Sequence, residues 1–403
     1  MLPSHRRLPL PYHFFDLAGR QAERLGFLVG DLRLKTLFKD AQQRTGLADF
    51  GHPYFMAGLE KLLSSLEKDA HLRFYGRLVM RCVLTNYLCQ RLLFVDALKH
   101  NPGLFTPLTK PPIVITGLHR SGTTFLHRLL ALDPANAGIS FWRLYRPLGS
   151  SGLLDLRKIK ACSELCILNP IFPGIKHKHC IRPFAPEECC WMLGLTFHSM
   201  VFWILAPVIN YLNWLWERDL SEMYREYALL LQVQQSFSPD QRLVLKAPDH
   251  MPHLDLLLEA IPGARIVQLH RDPATCVLSL SSLFYSTHIA LSERVQPRIL
   301  AETHQTMMAN AIRANRKVRE NPSVNQYVLD IEYEDFLNDP AGTVHEIYTH
   351  FGLNLSEVFV EKLCRCLHRQ ERGDNRIHHY AADQFGLHEQ EIRAFFDNLL
   401  IEA

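Results

Sequence analysis

The chain has no dominant charge: 44 Lys and Arg oppose 41 Asp and Glu among 403 residues, a formal net charge of +3. So small an excess excludes a protein built to coat nucleic acid, and any preference for anions must be local. It also lacks a disulfide framework. Ten cysteines occur with no CxxC pair and no regular spacing, in a chain long enough to bury a large core without staples, which points to a reducing, cytoplasmic setting. Residues 1–12 hold basic residues and prolines but no apolar run of signal-peptide length. Internal repeats, low-complexity tracts and long linkers are missing too.

One stretch lacks charge altogether. No Asp, Glu, Lys or Arg occurs from Cys189 to Trp216, and residues 196–216 are long and apolar enough to be weighed as a membrane span. His198, Pro207, Asn210 and Asn213 interrupt it. A single crossing would also place the motifs near 117–124 and 271, read below as holding one ligand, on opposite sides of the bilayer. The stretch 189–216 is therefore read as buried core or the wall of an acceptor pocket, with a membrane-surface contact as the alternative.

The most telling absence is a lysine. Ile113-Val114-Ile115-Thr116 is an apolar strand that runs into Gly117-Leu118-His119-Arg120-Ser121-Gly122-Thr123-Thr124 and then a helical segment. The spacing from Gly117 to Gly122 to Thr124 fits a nucleotide-binding loop, except that Thr123 stands where a Lys would reach the β/γ-phosphates of a triphosphate. Backbone N–H groups at Ser121, Gly122, Thr123 and Thr124 and the start of the helix would bind an anion, but the anion need not be ATP.

Around this loop, residues 1–105 read as a helical region packed on the core, with helices at 14–33, 54–68 and 72–98. Residues 106–403 alternate short apolar strands (113–116, 243–246, 265–270, 327–331) with helices, which predicts an α/β domain with a mostly parallel sheet of the P-loop type. Ligands of such sheets bind beyond the carboxyl ends of the strands. Two further strand ends carry polar residues there: Lys246-Ala247-Pro248-Asp249-His250, and His270-Arg271-Asp272-Pro273 followed by Ser279, eight residues after Arg271. Asp249 and Asp272 also suit helix caps. Arg271 offers planar two-pronged phosphate recognition, and Ser279 a neutral hydrogen bond.

Two anion sites on one sheet, without the γ-phosphate lysine, resemble the sulfotransferases that use 3′-phosphoadenosine 5′-phosphosulfate (PAPS). The loop 117–124 is similar to the family's 5′-phosphosulfate loop, with Arg120 where cytosolic members have Lys, and Arg271 and Ser279 match the pair that binds the 3′-phosphate. The Lys246 and Arg271 motifs, Tyr333-Glu334-Asp335 with Asp339-Pro340, and His378-His379-Tyr380 with Phe385-Gly386-Leu387 look like the bacterial-type branch. The resemblance covers about 111–387. It implies a transferase moving a sulfonyl group from PAPS to a hydroxyl or amine of a small, apolar or lipid-like acceptor by in-line displacement, with no metal. His119, Arg120, Ser121, Gly122, Thr123, Thr124, Lys246, Arg271 and Ser279 would hold the cofactor, and Arg372-Gly373 resembles a segment that closes over the 3′-phosphate. Arg120 would act electrostatically on the transferring group, since a guanidinium does not give up its proton.

The base that activates the acceptor is open. Related enzymes place a Glu about twenty residues beyond the loop, where this chain has Trp142-Arg143. Glu188 and His250 are the leading candidates, ahead of Glu187 and His119. His177, His179, Cys180, Cys189 and Cys190 are soft ligands without zinc-site spacing and read as core or loop residues. The competing functions are a nucleotide kinase or ATPase and a non-catalytic nucleotide-binding protein.

Overall fold

A computed structural model describes residues 30–149, 155–172, 178–179, 181–371 and 382–401, together with 14, 16–21 and 25. Its centre is a five-stranded sheet in the order β2-β3-β1-β4-β5, made of β1 (Ile113–Gly117), β2 (Asn136–Gly138), β3 (Arg242–Lys246), β4 (Arg265–His270) and β5 (Val328–Glu332). Every neighbouring pair is parallel. The middles of β1, β3 and β4 are Val, Ile and Leu, broken in β4 by the buried Gln268, because helices cover both faces of the sheet. β2 is the strand the sequence analysis did not predict. Asn-Ala-Gly has no apolar signature, and pairing with 242–244 brings it into the sheet.

The principal helices are α1 (Leu34–Thr45), α2 (Tyr54–Lys68), α3 (Phe74–His100), α4 (Thr123–Leu130), α5 (Ser221–Gln235), α6 (Pro273–Leu291) and α7 (Pro297–Arg319). The helix expected over 14–33 is not continuous. Residues 16–21 are helical, but 30–33 form a polar turn in which the Asp31 carboxylate accepts from the Arg33 N–H at 2.9 Å and the Thr36 hydroxyl at 2.6 Å, and α1 starts only at Leu34.

Helices α1–α3 share one apolar core with α5, α6 and α7, including Leu59, Leu84, Leu92, Phe202, Leu230 and Leu280. A second core on the opposite face joins Ile113, Ile115, Leu126, Val267, Phe336 and Ile347. Arg91 locks the N-terminal helices onto α5: its guanidinium, 1% exposed, pairs with Glu226 at 2.8 Å and donates to the carbonyls of Phe50 and His52.

The uncharged stretch opens on the short helix Cys190–Leu193 and a 3₁₀ turn, Gly194–Thr196, and continues in two more short helices, Val201–Leu205 and Ile209–Trp216, separated at Pro207, which has no N–H to continue a helix. Phe197, Phe202, Trp203 and Tyr211 are fully buried within it, so its apolarity is spent on the core and not on an exposed face. Two other helices, α3 and α6, are long and apolar enough to cross a membrane, and most of each apolar window is packed inside the protein.

Candidate active site

The turn from β1 to α4 is an unusual backbone. Gly117 and Gly122 take φ values of 136° and 89°, and Arg120 between them is held at 72°, the left-handed region that costs a non-glycine residue on the order of 1–3 kcal/mol. A side chain at Gly117 would strike the Leu269 carbonyl of β4, and one at Gly122 the Tyr333 ring. The strain at Arg120 is held from outside: Arg271 donates from Nη1 to the Arg120 carbonyl at 2.6 Å. Inside the loop, the Ser121 hydroxyl and N–H both turn back to the Leu118 carbonyl, at 2.7 and 3.2 Å. Ser121 therefore staples the turn and does not present its N–H to a ligand, as the sequence suggested it would. The N–H groups of Thr123 and Thr124, in the first turn of α4, have no intrahelical acceptor by position and remain for an anion.

The cation missing at Thr123 arrives from another strand. Lys246, at the carboxyl end of β3, is completely buried, and its Nζ meets the Thr124 hydroxyl at 3.1 Å and pairs with the Glu188 carboxylate. Thr123 itself is buried, at the edge of the cavity described below. Arg120 points Nε to the Ser279 hydroxyl at 3.0 Å and Nη1 to the Lys178 carbonyl at 3.3 Å. Ser279 lies on α6, whose first turn is capped by the Asp272 carboxylate, so the helix carries Ser279 back to the mouth of the loop. Arg271 also lies over the Tyr333 ring, 4.0 Å from its centre, a cation–π contact that fixes the guanidinium plane. Burial, and then the Arg120 charge, push the Lys178 ammonium down to about 8.

These groups border a cavity of about 870 Å³, lined by His119, Arg120, Gly122, Thr123, Thr124, Arg128, Arg271, Tyr333 and Arg369 on one side and by His179, Ile181, Glu188, Trp191, Ile204 and Phe284 on the other. Its size lies within the roughly 300–1,000 Å³ of small-molecule sites. The first side is cationic and suits a polyanion; the second is largely apolar. Among the described residues, no cluster of three or more His, Cys, Asp or Glu could hold a metal ion.

Of the sequence-assigned residues, the structure brings His119, Arg120, Gly122, Thr123, Thr124, Arg271 and Glu188 to one cavity, with Lys246, Ser121 and Ser279 supporting its walls. His250 is a correction. Pro248 opens a 3₁₀ turn, Pro248–His253, that swings the ring inward, where it is fully buried with Nδ1 3.0 Å from the Tyr224 hydroxyl. Burial, and then His253, push its imidazole down to about 3. It has neither the exposure nor the basicity of an acceptor base. Arg372 and Gly373, with His177 and Cys180, lie outside the described residues.

Two histidine–carboxylate pairs face the cavity instead. His119 Nε2 lies 3.4 Å from Asp249, and His179 Nε2 lies 3.3 Å from Glu187, which is 4% exposed. Burial opposes ionisation of Glu187, but His179 and then Lys246 outweigh it and hold the carboxyl below its ordinary range. Glu188 behaves likewise: burial opposes its charge, and Lys246, His179 and His119 restore it. A carboxylate so held is a weak proton acceptor, so Glu188 is better suited to fixing Lys246. Sequence reasoning had passed over His179 in any role but metal ligation and had not noticed Lys178 or Arg128; only the presence of Glu187 eight residues later hinted at a partner.

A parallel sheet with a phosphate loop on its central strand, lined by arginines and free of the triphosphate lysine, defines a P-loop-type group-transfer protein. The chain belongs to the Sulfotransferase family, which residues 111–357 match. It is similar to the omega-hydroxy-beta-dihydromenaquinone-9 sulfotransferase Stf3 of Mycobacterium tuberculosis (strain CDC 1551 / Oshkosh) and of Mycobacterium bovis, at 24% identity over 268 residues, 64% of this chain and 67% of theirs. Sulfotransferase STF1 from Mycobacterium tuberculosis H37Rv superposes with a TM-score of 0.79 at 29% identity over 90% of this chain and 98% of that one. STF9 from Mycobacterium avium shares the fold, with a TM-score of 0.81 at 23% identity over 93% and 97% of the two chains. The protein is accordingly a bacterial-type sulfotransferase.

Proposed function

We propose that this sulfotransferase takes its sulfonyl group from PAPS and delivers it to a hydroxyl on a small, largely apolar acceptor. The observation that carries the donor assignment is the set of three cations, Arg120, Arg271 and Lys246, gathered at a phosphate loop whose usual lysine position is a buried threonine. The residues fit that donor. The N–H groups of Thr123 and Thr124 and the Lys246 ammonium suit its 5′-phosphate, and Arg271 with Ser279 suits a 3′-phosphate. The donor supplies a sulfonate whose sulfur bonds to the acceptor oxygen as its bond to the phosphate oxygen breaks. Arg120 and Lys246 stabilise the negative charge that collects on that phosphate oxygen, and being fixed by Ser279, the Lys178 carbonyl and Glu188 they need little reorganisation.

The apolar acceptor is supported by the wall of Ile181, Trp191, Ile204 and Phe284 and by the name of the mycobacterial relative, which acts on a hydroxylated menaquinone. A cytoplasmic setting belongs to the same reading, supported by nine unpaired cysteines among the described residues. Calorimetry with 3′-phosphoadenosine 5′-phosphate tests the donor, and transfer of radiolabelled sulfonate from PAPS to a lipid extract tests the reaction. Tight nucleotide binding and a labelled lipid are expected. Magnesium-dependent ATP turnover without binding of the 3′-phosphorylated nucleotide would overturn the proposal.

A further inference from the structure

The cavity's apolar wall leads into a recess of about 100 Å³. Ile181, Trp191 and Ile204 line both spaces, and Phe141, Tyr145, Leu165 and Phe172 extend the recess away from the loop. His179 lines the cavity, two residues before Ile181, which lines both spaces. On one side its neighbour Lys178 accepts the Arg120 guanidinium on its carbonyl and is anchored through Nζ to the Ser282 and Ser286 hydroxyls at 2.8 Å. On the other, its Nε2 faces Glu187, the neighbour of the Glu188 that grips Lys246. The ring is thus tied at both flanks to the cations of the phosphate loop, while 21% of its side chain is exposed.

Resting on the donor reading above, we propose that His179 is the general base for the acceptor alcohol, that Glu187 is the residue positioning it, and that the recess receives the acceptor's apolar body. With Nε2 directed to Glu187, Nδ1 is the nitrogen that takes the proton. The hydroxyl O–H breaks as its oxygen bonds to sulfur, the sulfur–oxygen bond to the 5′-phosphate breaks, and 3′-phosphoadenosine 5′-phosphate leaves with that bonding pair. Glu187 then stabilises the imidazolium. The charged groups acting on His179 are Glu187 and Glu188, with Lys246 paired to Glu188 behind them and Arg120 held on the adjoining carbonyl.

His119 with Asp249 is the rival arrangement. It borders a separate recess of about 60 Å³ walled by Met223, Met251, Met307 and Met308. His119 belongs to the loop itself and lines both the cavity and that smaller recess, whereas His179 lines the cavity on the segment whose Ile181 reaches the recess of about 100 Å³.

The test uses the full chain with PAPS and two alcohols, n-butanol and n-decanol. His179→Gln should lower kcat by roughly 10²–10⁴-fold, the usual contribution of a general base, and remove the acidic limb of the kcat/KM profile. Glu187→Gln should keep that limb but displace it and lower kcat less, which loss of packing alone would not do. Binding of 3′-phosphoadenosine 5′-phosphate, read by calorimetry, should stay within a few-fold in both variants. Leu165→Trp, which fills the recess, should raise KM for n-decanol at least tenfold more than for n-butanol. In the dead-end complex with the nucleotide product, it should weaken n-decanol binding correspondingly. Turnover within a few-fold of wild type for His179→Gln, transfer of the limb's loss to His119→Asn, or equal effects of Leu165→Trp on both alcohols would overturn the proposal. Failure of the wild-type protein to bind the nucleotide would instead overturn the donor reading beneath it.

Discussion

Replacing Arg271 by Ala separates the residue's two jobs. The guanidinium has a face on the Tyr333 ring and one Nη1 on the Arg120 carbonyl at 2.6 Å, and the remainder borders the cavity. Losing the contact to Arg120 relaxes a strained loop residue, which weakens every nucleotide alike. Losing a charge-assisted hydrogen bond to a 3′-phosphate costs about 1.5–3 kcal/mol and affects only ligands that carry one. At about 1.4 kcal/mol per decade, that differential is roughly 10- to 150-fold. The assay is calorimetric titration of wild type and Arg271→Ala with 3′-phosphoadenosine 5′-phosphate and with AMP, at one fixed salt concentration and with thermal melts of both proteins. The variant should lose at least tenfold more affinity for the first ligand than for the second. Arg271→Lys should fall between, because an ammonium keeps the charge but not the planar fork held by Tyr333. Equal losses for both ligands would refute the 3′-phosphate role and leave Arg271 as a brace for the loop.

The remaining predictions concern chemistry and stability. Arg120→Ala should reduce sulfonyl transfer by about 10²–10³-fold, the scale seen when one transition-state donor is removed, and a folded variant with normal turnover would exclude it from the reaction. Acid should destabilise the protein early. Burial pushes the imidazoles of His127, His198 and His288 down to about 4 and that of His250 to about 3, and holds His304 well below its ordinary value. Because the folded values lie below the unfolded one near 6.5, the unfolded chain binds these protons first. The stability is whole above that pH and falls as pH drops from about 6.5 toward the folded values, by roughly 1 kcal/mol per histidine between pH 7 and 5.5. Urea midpoints at the two pH values check this; an unchanged midpoint would contradict it. Glu226→Gln, which leaves the buried Arg91 without its counter-charge, should cost about 3–5 kcal/mol, and a melting temperature within a degree of wild type would mean the pair is dispensable.

The features of the site legible in the sequence were those fixed by local chain geometry. The apolar run 113–116, two glycines and the first turn of α4 specify the loop within a dozen residues, and the Asp272 cap sets Ser279 seven positions into α6, on the edge that Arg271 precedes. Lys246 was equally legible, since a polar residue at the end of a buried parallel strand has only the ligand edge to face. His250 misled because strand position was extended past Pro248, where the 3₁₀ turn redirects the chain inward. His179 was hidden for the opposite reason. Its loop has no periodicity, and it gains meaning only when the Ser140–Pro186 bridge and the Cys189 N–H bond to the Lys246 carbonyl bring 186–189 beside β3, setting Glu187 against the ring and Glu188 against the lysine. One short segment therefore carries consecutive carboxylates to two different partners, Glu187 to the His179 ring and Glu188 to the Lys246 ammonium. The same logic explains the uncharged stretch 189–216: its lack of charge marks the interior where α2, α3, α5 and α6 converge, and Trp191 and Ile204 at its edge are the places where that interior opens onto the site.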